Sequence, residues 1–307
     1  MKRDILVSEV GPRDGLQSIK SIMPLAAKKA WISALAASGL REIEVGSFVP
    51  AQVLPQLADT AEVVAHALTI PNLTVAVLVP NMRGAEAAVR AGAHKLTIPF
   101  SASETHSLRN VRRTHAQMFD EVRGIVALLA AQPAKTRPRL EGGLSTAFGC
   151  TYEGIVPADK VVRLAEQLVS TGCDEVGLAD SVGFANPAQV RDLVVRVRAV
   201  TGKERFAGLH LHNTRGLGLA NVVAGLEVDV DTFDSSMGGI GGCPFAPGAT
   251  GNIVTEDLVF MLEAMGLHTG IDFDRLIAAR TILAAAVPDE ELYGYVPAAG
   301  LPRGADA

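Results

Sequence analysis

The chain holds seven histidines, and two of them, His210 and His212, stand one residue apart in "GLHLHNTRG". The stretch reads as the end of a strand, where residues i and i+2 share a face, so both imidazoles point the same way. Taken alone, the pair fits either two hydrogen-bonded core histidines or one arm of a metal site. Near the N-terminus "EVGPRDGLQ" supplies Arg13 and Asp14, "EIEVGS" supplies Glu44, and "EVGLAD" ends in Asp180. Far downstream "MGGIGGCPFAPGATGN" carries Cys243 and closes on Asn252. Two imidazoles and one carboxylate make three ligands for a divalent ion with positions left open, a set that admits Zn2+, Mn2+ or non-haem Fe2+. The side-chain amide of Asn252 can add an oxygen. Glycines on both sides of Cys243 suit a lid that closes over substrate, and a free thiol titrates near about 8.5, close enough to neutrality to exchange a proton with a carbon or oxygen acid. Each residue also has a plainer account: a helix N-cap for Asp14 or Asp180, a surface ion pair for Arg13, an inert buried thiol for Cys243.

What separates these accounts is where the elements put the residues. Short β-rich runs alternate with helical stretches along the chain. The predicted strands cover 4–11, 42–47, 73–80, 94–100, 137–145, 175–180, 206–212 and 230–236. Ala/Leu/Val-rich segments at helical spacing lie at 24–38, 55–68, 82–91, 157–171, 187–200, 215–228 and about 252–266. The region 103–131 is polar at its start and predicts an extended loop ahead of its helix. Alternation implies a parallel sheet, and eight repeats predict a closed (β/α)8 TIM barrel over an open doubly wound sheet. The reading is one domain over 1–307: a barrel at about 4–266, then a short C-terminal helical extension at about 267–307 with a helix over 272–287 and a Pro/Gly-rich tail. In such barrels the active site lies at the C-terminal ends of the strands. Arg13, Asp14, Glu44, Asp180, His210 and His212 come from four separate strands and fall at that rim, with Cys243 and Asn252 in the loop after the eighth. So many ionisable groups delivered to one rim favour an active site.

Composition excludes several other functions. With 48% hydrophobic and 20% charged residues the chain can bury a large core, and its net charge of −5 is unremarkable. No basic stripe with interleaved aromatics occurs, so a nucleic-acid partner is not expected. No apolar run reaches about 18 residues, so no membrane span is expected. Three cysteines without a C-x-x-C pair point to a reducing compartment, and "MKRDILVSEV" enters a strand at once, leaving no room for a signal peptide; the expected location is the cytoplasm. "GGCPFAPGATGN" has no lysine and is unlike a P-loop.

These motifs together resemble the 3-hydroxy-3-methylglutaryl-CoA lyase family, within the larger group of barrel metallolyases and Claisen-type condensing enzymes. "EVGPRDGLQ" and "GGCPFAPGATGN" are similar to that family's signatures, and "EVGSFVP", "SASETH", "YEG", "GLAD" and "HLHN" follow in its order over about residues 4 to 266. The resemblance implies retro-Claisen cleavage of an acyl-CoA substrate with Mg2+ or Mn2+, Zn2+ being a further option, and a homo-oligomer. It implies Asp14, His210, His212 and Asn252 as metal ligands. Arg13, Cys243, Glu44 and Asp180 become catalytic residues, and Gln17, Lys20, Asn110 and Arg215 substrate-binding ones. The family's "LQNEK" reads "LQSIK" here. Its common H-C-H-D-T-Y-G-Q reads "HLHNTRGL", with Asn213 for an acid, Arg215 for an aromatic and Leu217 for an amide. Asn213 is similar to the condensing enzymes instead, but the cysteine loop is of the lyase type. Three activities follow: cleavage of 3-hydroxy-3-methylglutaryl-CoA, cleavage of another 3-hydroxyacyl-CoA such as citramalyl-CoA or a longer branched 3-hydroxyglutaryl-CoA, and acetyl-CoA-dependent condensation.

Overall fold

In the computed structural model, which describes residues 4–241 and 251–302, eight parallel strands close into a barrel. They are β1 (Leu6–Glu9), β2 (Glu42–Ser47), β3 (Thr74–Leu78), β4 (Lys95–Ser101), β5 (Arg139–Ser145), β6 (Glu175–Asp180), β7 (Phe206–Leu211) and β8 (Thr232–Ser235). Each pairs with its sequence neighbour, and β8 returns to β1 through Leu6–Thr232 to Glu9–Ser235. The helices after the strands form the outer layer, as a parallel sheet with short crossovers requires. Apolar residues of the strands face those helices: Ile43, Val75, Leu96, Ile98, Leu140, Val176 and Phe233 are fully buried together with Trp31. After the helix that follows β8 (Thr255–Ala264) a further one, Phe273–Ala286, packs on Leu25–Ala37, and Ile5 N–H donates to His268 O, tying the C-terminal extension to the barrel's first strand.

The region 103–131 departs from the expected loop. Ser103 Oγ accepts from His106 N–H and starts a helix, Glu104–Asn110; after Arg112, whose φ is +56°, Thr114 and Gln117 form a capping box that starts His115–Ala130. Two side-chain caps within eleven residues make two helices of a stretch whose polarity read as loop. No helix among the described residues is long and apolar enough to cross a membrane.

The lumen is polar. Lys95 Nζ reaches Glu42 (3.3 Å) on β2, Glu141 (2.8 Å) on β5 and Glu175 (3.2 Å) on β6, spans that are possible only across the barrel's interior. Gly177 makes room for this: a Cβ there would stand 2.3 Å from Glu141 Oε1. Two β-bulges adjust which side chains face inward. On β2 the register skips Val45, between Glu44 and Gly46; on β7 it skips Ala207, between Phe206 and Gly208. A bulge re-aims the residues beside it, and these two lie beside Glu44 and three residues before His210.

Candidate active site

After β1 the chain winds into a single π-helical turn, Gly11–Gly15, in which Asp14 and Gly15 N–H both donate to Val10 O. Such turns recur at functional sites because they present side chains that an α-turn would place elsewhere. Glycine is required at both ends. A Cβ on Gly11 would meet Glu9 Oε1 at 2.5 Å, and one on Gly15 would meet Ile240 Cγ1 at 2.6 Å. The turn delivers Arg13 and Asp14, both largely buried, to the C-terminal mouth of the barrel.

Arg13 is held from two sides. Its Nε donates to Glu44 Oε2 (2.5 Å) and its Nη1 to Asp14 Oδ1 (2.6 Å). Burial opposes its charge, but Glu44 and Asp14 more than offset that and raise its pKa. Gln17 Nε2 and Asn252 Nδ2 also donate to Asp14, at 2.8 and 2.7 Å, to its two different oxygens. Burial raises the pKa of Asp14, and the neighbouring Arg13, His210 and His212 outweigh it, so the group is a carboxylate.

The two imidazoles converge on that carboxylate. His210 Nε2 lies 3.1 Å from His212 Nε2 and 3.9 Å from Asp14 Oδ2, and one ligand atom from each of the three residues lies within 4.8 Å of the others. Burial and the adjacent His210 push the His212 pKa down to about 3, so His212 is neutral, the form that ligates. Among the described residues, the buried atoms that lack a partner here include His212 Nδ1, Asn252 Oδ1 and Glu44 Oε1. Asn252 meets Asp14 through its nitrogen, and a half-turn of the amide would exchange that atom for the unpartnered oxygen. The residues present fit a divalent ion. Asp14 and the two neutral-capable imidazoles supply N and O donors, and Asn252 has an oxygen to spare.

The other expected residues stand as follows. Asp180 is buried, accepts from Phe184 N–H (2.8 Å) and Ala185 N–H (3.1 Å), and is pushed up to about 6 by burial. It organises the loop after β6 and caps no helix. Glu44 is also raised by burial, against the pull of Arg13. Arg215 donates to Val182 O (2.9 Å) and Gly183 O (3.0 Å) and lies 4.5 Å over the Phe184 ring. Its guanidinium therefore clasps the same loop from β7's side. Lys20 and Asn110 are exposed, and neither makes a hydrogen bond or ion pair with the central group among the described residues. Cys243 lies outside the described residues.

Three polar groups of the lumen were not singled out by sequence. Asp234 on β8 meets His210 Nδ1 at 3.1 Å; Ser145 Oγ, Ser101 Oγ and His106 Nδ1 form a chain of 3.1 and 2.7 Å at the mouth; and Lys95 gathers three glutamates below. Period-2 alternation on β4, β5 and β8 would have flagged them, since their charged or hydroxyl residues recur on the face opposite the apolar one.

A closed (β/α)8 barrel whose mouth gathers a carboxylate, two imidazoles and a clamped arginine is the architecture of a barrel enzyme with room for a divalent ion. The HMGL-like family model matches residues 4–283, and the chain belongs to that family. It is 40% identical to the hydroxymethylglutaryl-CoA lyase of Bacillus subtilis over 90% of this chain and 91% of that one. To the 3-hydroxy-3-isohexenylglutaryl-CoA/hydroxy-methylglutaryl-CoA lyase of Pseudomonas aeruginosa it is 38% identical, over 94% of each. Its backbone is similar to that of an HMG-CoA lyase from Acinetobacter baumannii in complex with coenzyme A and 3-methylmalate, with a TM-score of 0.91 and 41% identity over 99% of this chain and 96% of that one.

Proposed function

We propose that this chain is a hydroxymethylglutaryl-CoA lyase: it cleaves 3-hydroxy-3-methylglutaryl-CoA to acetyl-CoA and a keto acid. The observation that carries the reading is the meeting of Asp14, His210 and His212 beside a buried, doubly anchored Arg13. In the cleavage the substrate's tertiary hydroxyl gives up its proton, and the bond between its carbon and the thioester's α-carbon breaks. The pair of electrons in that bond passes into the enolate of acetyl-CoA, which a proton then quenches at carbon. Asp14, His210 and His212, with Asn252, would hold a divalent ion, Mg2+ or Mn2+ foremost with Zn2+ as a further option, which supplies Lewis-acid polarisation of the substrate's oxygens. Arg13, kept charged by its two carboxylate neighbours, is suited to stabilise negative charge on the thioester oxygen as the enolate develops. Glu44 has one oxygen without a partner among the described residues and a pKa raised by burial, so it can take up a proton in this site. Asp180 steadies the β6 loop, and Cys243 remains the proposed donor to the enolate carbon on the strength of the family's motif. Gln17 bears on the site through Asp14; Lys20 and Asn110 are proposed to meet the CoA arm. The cytoplasm as its setting is supported by two buried free thiols, Cys150 and Cys173.

The test is acetyl-CoA release by the purified chain from 3-hydroxy-3-methylglutaryl-CoA, with Mg2+, Mn2+, Zn2+ or a chelator. Metal-dependent release supports the assignment, and no release under any metal overturns it. A second reading keeps the chemistry and changes the acyl substituent. It is favoured by Arg215, which stands where the family has an aromatic residue and clasps Val182 and Gly183 beside the mouth. Arg215→Tyr should free that loop and shift relative kcat/KM between methyl and longer 3-alkyl substrates by about tenfold, the worth of one charge-assisted hydrogen bond. Unchanged ratios across the panel leave the methyl substrate as the reading.

A further inference from the structure

His210 and Asp234 are direct register partners on β7 and β8, so their side chains share the luminal face. Asp234 Oδ2 lies 3.1 Å from His210 Nδ1, on the side of the ring away from the 3.1 Å approach of Nε2 to His212. The neighbouring β8 residue Phe233 is fully buried on the opposite face, which fixes the strand's rotation and leaves Asp234 no second orientation. His212 has no such support among the described residues, because its Nδ1 is buried without a partner.

We infer that Asp234 is a positioning residue: by accepting a hydrogen bond from His210 Nδ1–H it selects the tautomer whose Nε2 lone pair faces Asp14 and His212. A neutral imidazole carries one proton, and only the ring with that proton on Nδ1 can ligate through Nε2. The carboxylate behind the ring also raises its basicity, as in other carboxylate–histidine–metal arrangements. The two histidines of the pair therefore differ. His210 is held from behind by a charged acceptor, whereas His212 has no partner at Nδ1 among the described residues. The inference rests on the metal reading of Asp14, His210 and His212 given above, and it concerns a residue outside that ligand set.

The experiment measures Mn2+ affinity of the wild-type chain and of Asp234→Ala and Asp234→Asn by calorimetry, with thermal melting as the folding control. Wild-type protein should bind, the alanine variant should bind about 10- to 100-fold more weakly, and asparagine, which keeps an acceptor, should recover most of the loss. Long-range 1H–15N spectra of the metal-free protein, recorded at alkaline pH where the ring is neutral, supply a second readout. His210 should carry its proton on Nδ1 in the wild type and become a tautomer mixture in Asp234→Ala. Wild-type protein that binds no Mn2+ overturns the metal reading and this inference together. Wild-type binding that Asp234→Ala leaves within twofold, or an asparagine variant no better than alanine, overturns the inference alone. If the alanine variant does not fold, the asparagine variant and the wild-type tautomer decide it, an Nε2–H ring in the wild type being the contrary result.

Discussion

The N-terminal end of the barrel lumen and its C-terminal mouth both bury charge, but only the mouth leaves it incompletely partnered. At the N-terminal end Lys95 is shared among Glu42, Glu141 and Glu175, and Arg139 pairs with Glu175. No side-chain atom of these five residues is buried without a partner among the described residues. Glu141, Glu42 and Glu175 together more than offset burial and raise the Lys95 pKa well above its ordinary value. At the mouth Glu44, His212 and Asn252 each keep an atom in reserve. A buried polar atom without a partner costs roughly 1–3 kcal/mol, so three in one place mark a region shaped for something that arrives from outside. The same barrel thus uses charge to hold itself together at one end and to receive a ligand at the other.

Substitutions at the two ends should separate these roles. The largest effect is expected for Asp14→Ala, which should lower kcat/KM by about a thousandfold or more, the several kcal/mol that a bound divalent ion contributes to a charged transition state. Its urea midpoint should stay near that of the wild type, because Arg13 keeps Glu44. Steady-state kinetics with urea melts on the same preparation check both halves; a large loss of stability with full activity would reverse the assignment of the mouth. Lys95→Met should do the opposite. Leaving three carboxylates around an apolar side chain should cost about 3–5 kcal/mol of stability, while kcat/KM at a temperature where the variant is folded stays within about threefold.

The smallest effect concerns pH. Burial, followed by Lys95 acting in the other direction, leaves Glu141 raised from 4.5 to about 7. The folded state therefore holds this proton more tightly than the unfolded one, and the stabilisation it brings is complete below the unfolded pKa and lost as pH rises through about 7. Between pH 5.5 and 8 the wild type should lose about 1–2 kcal/mol more than Glu141→Gln, which cannot ionise. Urea titrations across that range check it, and parallel curves would show that Glu141 is already ionised at pH 5.5.

The barrel was legible because its repeats are regular. "EIEVGS" and "EVGLAD" occupy 42–47 and 175–180 in the structure as in the sequence, bounded by turns on both sides. β1 is shorter than the predicted 4–11, since residues 11–15 are wound into a π-turn that no hydrophobic period signals. In the site, Arg13, Asp14, Glu44, His210, His212 and Asn252 stood out by residue type at strand ends and loops, and the fold brings them together. Asp234 did not stand out. Period-2 alternation puts it on the polar face of β8, but its pairing with His210 depends on which residues of β7 and β8 fall opposite one another, and the local sequence does not state that register. Arg215 was legible as a departure from the family but not in its contacts, because the carbonyls it holds lie 32 and 33 residues away.

Where the chain returns to the mouth, glycines close a tight joint. Gly239, Gly241 and Gly251 come so close that a Cβ on Gly251 would lie 2.1 Å from Gly239 O and 2.9 Å from Gly241 N. Asn213 N–H donates to Gly251 O, Ile253 N–H donates to Leu211 O, and Ser236 bridges Val254, so the chain is stitched back to β7 and β8 as soon as it returns. The ends of the intervening stretch are thus joined by the barrel itself. Asn252, the residue after Gly251, therefore inherits its place beside Asp14 from β7 and β8, so sequence drift that spares those strands carries this amide along unchanged, as an heirloom of the barrel.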